Sequence, residues 1–440
     1  MKIFYAIIIL ILFQSCSFDN KSGIWKNENK ISDRKDLFKD FKTLLSSNES
    51  FNKIVLFDNK YNFKLSPAKN NLEWNDIFYN KNNNLKNFIY NNTNELVFKS
   101  KKLSRHQLNS FLLFEKNNLI TTDIKGNIIV FSVNENKEII KFNFYKKKYK
   151  KIKKNLNFII ENNIIYVSDN IGYLYAFNFM ENKVLWAKNY KVPFRSNLKL
   201  SINKLIASDQ NNNLFFFDKK NGNLLKSIPT EETVVKNQFI NNLSQDESSL
   251  FFLNTYGSLY SIDIKSLRIN WFLNLNQSLD INPSNLFFGN QIINDNKKIV
   301  LSSNNFTYVI DSNSGSIIYK KNFSSQIKPL YIDDYLFLIS KKNLLIAMDM
   351  QSGKIIYSYN INDEIAKFLN IKKKKAEFKN IMIANNQIFI FLKNSYLLTL
   401  NIKGTIKDIK KLPTKIESQP IFIDSSILYV DTKNKLTIID

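Results

Sequence analysis

The stretch Ala347-Met348-Asp349-Met350-Gln351-Ser352-Gly353-Lys354-Ile355-Ile356-Tyr357 decides the fold. It reads as a strand, a tight turn and a second strand. An Asp opens such a turn by accepting from the backbone N–H groups that follow it, and a Gly four residues on supplies the positive φ. Copies of the unit recur as Val309-Ile310-Asp311 with Gly315 and Tyr319, Phe216-Phe217-Asp218 with Gly222, Ala176-Phe177-Asn178 with Trp186, and Ser261-Ile262-Asp263 with Trp271. Weaker copies centre on Ser132 and Asn401, and the sequence ends inside one at Asp440. The anchors 132, 178, 218, 263, 311, 349, 401 and 440 lie 38 to 52 residues apart.

Eight copies at that period predict an all-β chain: an eight-bladed β-propeller of four-stranded blades. The aromatic eight residues after the anchor (Trp186, Trp271, Tyr319, Tyr357) is spaced to pack on the neighbouring blade. Another strand precedes each copy, as in Asn163-Ile164-Ile165-Tyr166-Val167 and Asp334-Tyr335-Leu336-Phe337-Leu338. These strands are apolar on both faces, as blades stacked against each other require. No helical stretch of consequence is expected within the array. The last copy stops after its third strand, Leu436 to Asp440, so closure needs a strand from elsewhere. Asn94-Glu95-Leu96-Val97-Phe98 is the expected N-terminal donor, and closing the ring removes exposed sheet edges.

The first residues carry a different signal. Lys2 is followed by the apolar run Ile3 to Phe13 and then by Gln14-Ser15-Cys16. About eleven apolar residues behind one positive charge read as a signal peptide, too short for a membrane span of about 20. The sole cysteine falls where a peptidase would cut, with the small Ser15 before it. This is similar to a bacterial lipobox, which implies lipidation at Cys16. Ser17, in place of an Asp, implies sorting to the outer membrane on its periplasmic face. The expected organisation is a lipoprotein signal peptide over 1–15, a tether and irregular segment over 16–93, and the propeller over 94–440. Within the second part, Leu37, Phe38, Phe41, Leu44 and Leu45 share one face of a short predicted helix over 33–45. The stretch 48–92 is Asn-rich with apolar islands such as Ile54-Val55-Leu56-Phe57, and no element is assigned to it.

Composition limits the chemistry. The formal charge is +25, from 63 Lys+Arg against 38 Asp+Glu. Lys, Asn, Ile and Phe are over-used while Ala, Gly and Arg are scarce, the mark of AT-rich codon usage. With no nucleic-acid motif beside it, the charge is assigned to that bias and no nucleic-acid partner is expected. The basic runs Lys146 to Lys154 and Lys372 to Lys375 are read as solvated loops rather than lipid contacts. One cysteine and one histidine, His106, exclude an internal disulfide and the usual Cys/His zinc site. His106 sits in a polar stretch and is expected on the surface. No catalytic, cofactor or metal site is assigned.

The pattern A-x-D-x-x-x-G-x-x-x-W, with Tyr357 in the tryptophan place, resembles the repeat of PQQ-type propellers. Eight such blades behind a lipobox are similar to the BamB family, lipoproteins of the β-barrel assembly machinery. The resemblance covers roughly residues 90–440 and the leader. It implies a non-enzymatic scaffold that works as a monomer within a hetero-complex and binds periplasmic POTRA domains of a BamA-like outer-membrane protein. The local match is Lys191-Val192-Pro193-Phe194-Arg195-Ser196-Asn197. By resemblance Arg195 makes the partner contact, with Pro193 and Phe194 beside it; an arginine among apolar neighbours suits an interface anchor. The family's acidic residues in the next inter-blade loop are replaced here by Lys236, Asn237 and Gln238. PQQ-dependent dehydrogenases share the propeller, but they typically use calcium ligands and many carry a disulfide of adjacent cysteines, which one cysteine cannot form. A propeller lipoprotein that binds polysaccharide or another envelope ligand is the alternative reading.

Overall fold

The inner strands of the ring are short, three to seven residues, and almost wholly buried. The computed structural model describes residues 50–440 except 146, 233–239, 277–286 and 304, together with the strand residues 17–18 and 25–26. The predicted helix over 33–45 and Cys16 lie outside the described residues. So do Lys236, Asn237 and Gln238. In the N-terminal unit, Ser17–Phe18 pairs antiparallel with Trp25–Lys26. Ser50–Asp440 forms a second compact unit.

That unit is the eight-bladed propeller. Eight four-stranded antiparallel sheets follow one another along the chain. We number them blade 1 (113–143), blade 2 (156–189), blade 3 (199–228), blade 4 (242–274), blade 5 (293–321), blade 6 (330–360), blade 7 (378–411) and blade 8 (421–439). Blade 8 takes its outer strand from Leu96–Lys102, paired with Lys435–Ile439 from Leu96↔Ile439 to Lys102↔Lys435. The closing strand is thus the expected one.

The repeat motif explains how neighbouring blades lock. Asp349 Oδ1 accepts from the Gln351 and Ser352 amides at 2.9 and 2.7 Å, and Gly353 sits at φ 68°. A Cβ on Gly353 would stand 2.6 Å from the Tyr319 ring of blade 5. The Tyr319 hydroxyl donates to Gln351 O at 2.6 Å in the same turn. Trp186 packs on Gly222, Trp271 on Gly315 and Tyr357 on Gly404 in the same way. Their polar tips donate to Lys219 O, Ser312 O and Ile402 O at 3.0, 2.9 and 3.2 Å. Across the sheet, each aromatic faces the residue two before the anchor, and a bulge follows that pair (Ala176↔Trp186, Ser261↔Trp271, Val309↔Tyr319, Ala347↔Tyr357). The bulge turns the outer strand so that its ring reaches the next blade.

The array is interrupted by α1, Ile361–Leu369, between blades 6 and 7, which corrects the expectation of no helical stretch. Asn360 caps its start by accepting from the Asn362 amide at 3.0 Å, and Asn370 ends it in the left-handed region at φ 52°. Ile361 is buried and Ile365 packs on the core one turn later, a short apolar face that the neighbouring lysines mask in the sequence.

The Asn-rich stretch from Ser50 onward carries no regular element and still belongs to the ring. It pairs with the outer strand of blade 6, where Val55 N donates to Ser358 O and Ser358 N to Val55 O, at 3.0 and 2.9 Å. Ser66 N then donates to Asp333 at 2.7 Å on the turn after the inner strand of blade 6. From there it meets the inner strand of every other blade. Asn71 donates to Phe422 O of blade 8 at 2.8 Å, and Trp74 and Phe114 of blade 1 exchange backbone bonds. The carbonyls of Asn75, Lys81 and Asn82 accept from Ile160, Gln245 and Asn294 in blades 2, 4 and 5. Lys199 of blade 3 bonds Asp76, and Phe88 N donates to Ile383 O of blade 7 at 3.2 Å. Residues 66–91 plug the channel.

Because Gly315 combines φ 73° with a Cβ position 2.6 Å from Trp271, Gly315→Ala is expected to lose about 2 kcal/mol of stability. Urea unfolding of the full chain checks this; an unchanged midpoint would mean that the blade contact is loose.

Candidate functional site

Lys191 to Asn197 joins the outer strand Lys183–Asn189 of blade 2 to the inner strand Lys199–Ser201 of blade 3. Its backbone is held on several sides. Phe194 N donates to Asp169 O at 3.0 Å, Arg195 N to Ser208 O at 2.9 Å, and Asn241 N to Arg195 O at 2.9 Å. Gln210 N closes on Pro193 O at 2.9 Å. Phe194 is only 2% exposed, its ring set edge-on to Tyr190 and Phe217 at 5.9 and 6.2 Å. Of the three residues expected at a partner contact, Phe194 therefore serves as the core pin of the loop. Pro193 and Arg195 are half-exposed beside it. The Arg195 guanidinium has no ion pair or side-chain hydrogen bond to any described residue. His106 is exposed, as expected.

In an antiparallel four-stranded blade, the connection to the next blade leaves on the same face as the turn between the second and third strands. The Arg195 loop, the basic run ending at Lys154 and the α1 insertion are all such connections. Each bonds that turn: Gln210 N on Pro193 O, Lys154 N on Ile124 O, Ile361 N on Asn343 O. We call this the linker face. Lys147, Lys150, Lys151 and Lys153 are exposed there, and so are Lys372 to Lys375. Lys154 is the exception in its run: it is buried, with its ammonium on the Tyr149 carbonyl and 5.0 Å from the Tyr145 ring centroid.

The plug turns the channel into a cup. A cavity of about 230 Å³ is floored by Trp74, Ile77, Phe78 and Leu85 and walled by the starts of inner strands, with Gln326, Lys328, Lys379 and Gln419 among them. Trp74 Nε1 and Gln419 Oε1 are buried without a hydrogen-bond partner among the described residues. Lys379 donates to Glu417 O at 2.5 Å, and burial lowers its pKa. Lys328 lies 5.7 Å from the Phe78 ring centroid. Burial, and then the nearby Lys199 ammonium, push its pKa down to about 7 against the pull of Asp76. Amides, an indole donor and a weakly basic amine suit the holding of a polar or anionic group. Among the described residues no cluster of His, Cys, Asp and Glu could hold a metal.

Beneath the cup, Lys199 and Asp76 form a buried ion pair at 2.6 Å, and Lys199 also donates to Asn80 O and Asn83 Oδ1 at 3.0 and 2.5 Å. Burial lowers the Lys199 pKa, and Asp76 pulls it back. This pair latches the plug to blade 3. Sequence reasoning missed the pair and the cup, because their residues are spread along the chain from Trp74 to Ile421 and follow no local pattern.

The sequence profile described as "Outer membrane protein assembly factor BamB" matches residues 125–359, more than half of the chain. Among solved structures, BamB from Moraxella catarrhalis superposes with a TM-score of 0.61 at 12% identity, over 79% of this chain and 99% of that one. Quinohemoprotein alcohol dehydrogenase from Comamonas testosteroni also scores 0.61, at 10% identity, over 84% of this chain and 81% of that one. These structural likenesses show the fold. A comparison with curated protein sequences finds no match.

Two outcomes test the latch and the cup. Lys199→Met is expected to cost about 3–5 kcal/mol by leaving Asp76 buried and unpaired, and the double variant with Asp76→Leu to recover a large part of it. Urea midpoints of the three chains decide. Lys328 has a folded pKa below its ordinary 10.5, so the folded state binds fewer protons than the unfolded one between about pH 7 and 10.5. Its stability cost is therefore complete below pH 7 and disappears as pH rises through that window. Lys328→Met should raise Tm by about 2 °C at pH 6 and by nothing at pH 10.5; a gain that ignores pH would point to packing instead.

Proposed function

Since this chain belongs to the BamB family of outer membrane protein assembly factors, we propose that it is a non-enzymatic scaffold subunit of a β-barrel assembly machinery. Its linker face binds the periplasmic POTRA domains of a BamA-like outer-membrane protein, through Arg195 with Pro193 beside it. The observation that carries this reading is a half-exposed arginine without a side-chain partner among the described residues, on a loop whose backbone is bonded to blades 2 and 3. A guanidinium held in that way loses little conformational freedom on binding and offers a planar fork to a carboxylate.

The chain is held at the periplasmic face of the outer membrane by acyl groups on Cys16. Such confinement raises its effective concentration for a membrane-bound partner without any added contact. It acts as a monomer within that hetero-complex, with no nucleic acid and no cofactor. A ring whose blades are locked together keeps the loops of one face at fixed spacing, as a scaffold for a flexible multi-domain partner requires.

Affinity capture from detergent-solubilised envelopes, comparing the native chain with Arg195→Glu, tests the proposal. The native chain should recover a POTRA-containing outer-membrane protein, and the variant should lose at least about 90% of it, since reversing a contact charge costs upwards of 1.4 kcal/mol. Equal recovery by both moves the contact away from Arg195. Recovery of no such protein by either favours an envelope ligand, with the cup as its place.

A further inference from the structure

The insertion between blades 6 and 7 has a construction that partner binding at Arg195 does not require. After Ile361 and Ile365 seat α1 on the ring, the chain runs Lys367-Phe368-Leu369-Asn370-Ile371-Lys372-Lys373-Lys374-Lys375, and every one of these nine residues is exposed. Phe368, Leu369 and Ile371 are 47, 41 and 50% exposed, three large apolar side chains within four residues. A solvated basic loop gains nothing from them. The base of the insertion is fixed: Ile361 N donates to Asn343 O at 3.0 Å, and the buried Asn362 side chain accepts from Ala376 N at 3.0 Å, which ties the two ends together. The tip therefore projects from a pinned root.

The charges around the tip are arranged for an anionic surface. Asp363 and Glu364 pair with Lys373 and Lys367 at 2.7 and 2.8 Å, and Glu377 pairs with Lys393 at 3.3 Å. Lys372, Lys374 and Lys375 make no ion pair among the described residues and flank the apolar trio directly. On the same linker face the other basic run presents Lys147, Lys150, Lys151 and Lys153 around Ile152, itself 43% exposed. Exposed apolar groups ringed by lysines are the composition of an interfacial lipid contact, where the apolar side chains enter the headgroup–acyl boundary and the ammonium groups meet lipid phosphates.

We propose that Phe368, Leu369 and Ile371 insert into an anionic lipid surface while Lys372, Lys374 and Lys375 bind its phosphates, so that the ring stands with its linker face toward the bilayer. The contact is independent of the Arg195 proposal and of acylation at Cys16.

The test places a fluorophore at the tip. The full chain carrying Phe368→Trp is mixed with phosphatidylethanolamine–phosphatidylglycerol vesicles whose acyl chains are brominated, and the emission added by the substitution is followed. Phe272→Trp, at an exposed site on the outer strand of blade 4, is the control for attachment elsewhere. Bromine quenching at the tip should exceed that of the control at least about five-fold, because quenching requires contact with the acyl region. Adding Lys372→Glu, Lys374→Glu and Lys375→Glu, or about 0.5 M salt, should bring it down to the control value. Quenching equal in the two Trp variants, or unaffected by both charge reversal and salt, would overturn the proposal. Unchanged thermal melting of each variant confirms that folding is preserved.

Discussion

Each blade presents one edge that no other blade can pair. The inner strand has a neighbour on its outer side only, and its other edge faces the channel. Eight such edges converge there, and buried N–H and C=O groups left without partners cost too much to tolerate. Residues 66–91 answer that constraint. They run past the inner strands of seven blades and the inner turn of the eighth, and bond each of them through backbone or side-chain groups. Asn83 alone donates to Leu243 O and Ile292 O at 2.9 and 2.8 Å, joining blades 4 and 5. Trp74, Ile77, Phe78 and Leu85 of the same segment line the cup.

Around that centre, one contact recurs between blades 2 and 3, 4 and 5, 5 and 6, and 6 and 7. There an aromatic on an outer strand rests on the backbone of the next blade's turn, and at those four turns glycine is required because a side chain would occupy the ring's place. The same turn accepts a hydrogen bond from the aromatic's polar tip, so each contact fixes distance as well as burying area. A rigid ring can hold the Arg195 loop, the two basic insertions and the mouth of the cup on a single face.

Much of this was legible in the sequence. The anchors and their spacing determined eight blades, the glycine and aromatic positions determined how they interlock, and the short final copy determined which strand closes the ring. These features are local: a turn needs its Asp and positive φ wherever it occurs, and the periods of strands and blades survive in any context. Leu267 and Asn136 show the tolerance of the rule, since both take the glycine's place with φ of 57° and 50°.

The tertiary structure decided the rest. Asn83, Asn84 and Asn87 look like linker residues and are almost fully buried: Asn83 and Asn87 donate to backbone carbonyls that an apolar side chain would leave unsatisfied, and Asn84 donates to the Asp295 carboxylate at 2.7 Å. Lys199 has nothing in its surroundings along the chain to mark it as buried; its partner Asp76 arrives from 123 positions away. Phe194 reads like an interface residue beside Arg195, yet the ring gives it a core to enter. In each case the sequence determined the chemistry of the side chain. Only the closing of the ring determined whether that chemistry would meet water, backbone or another charge.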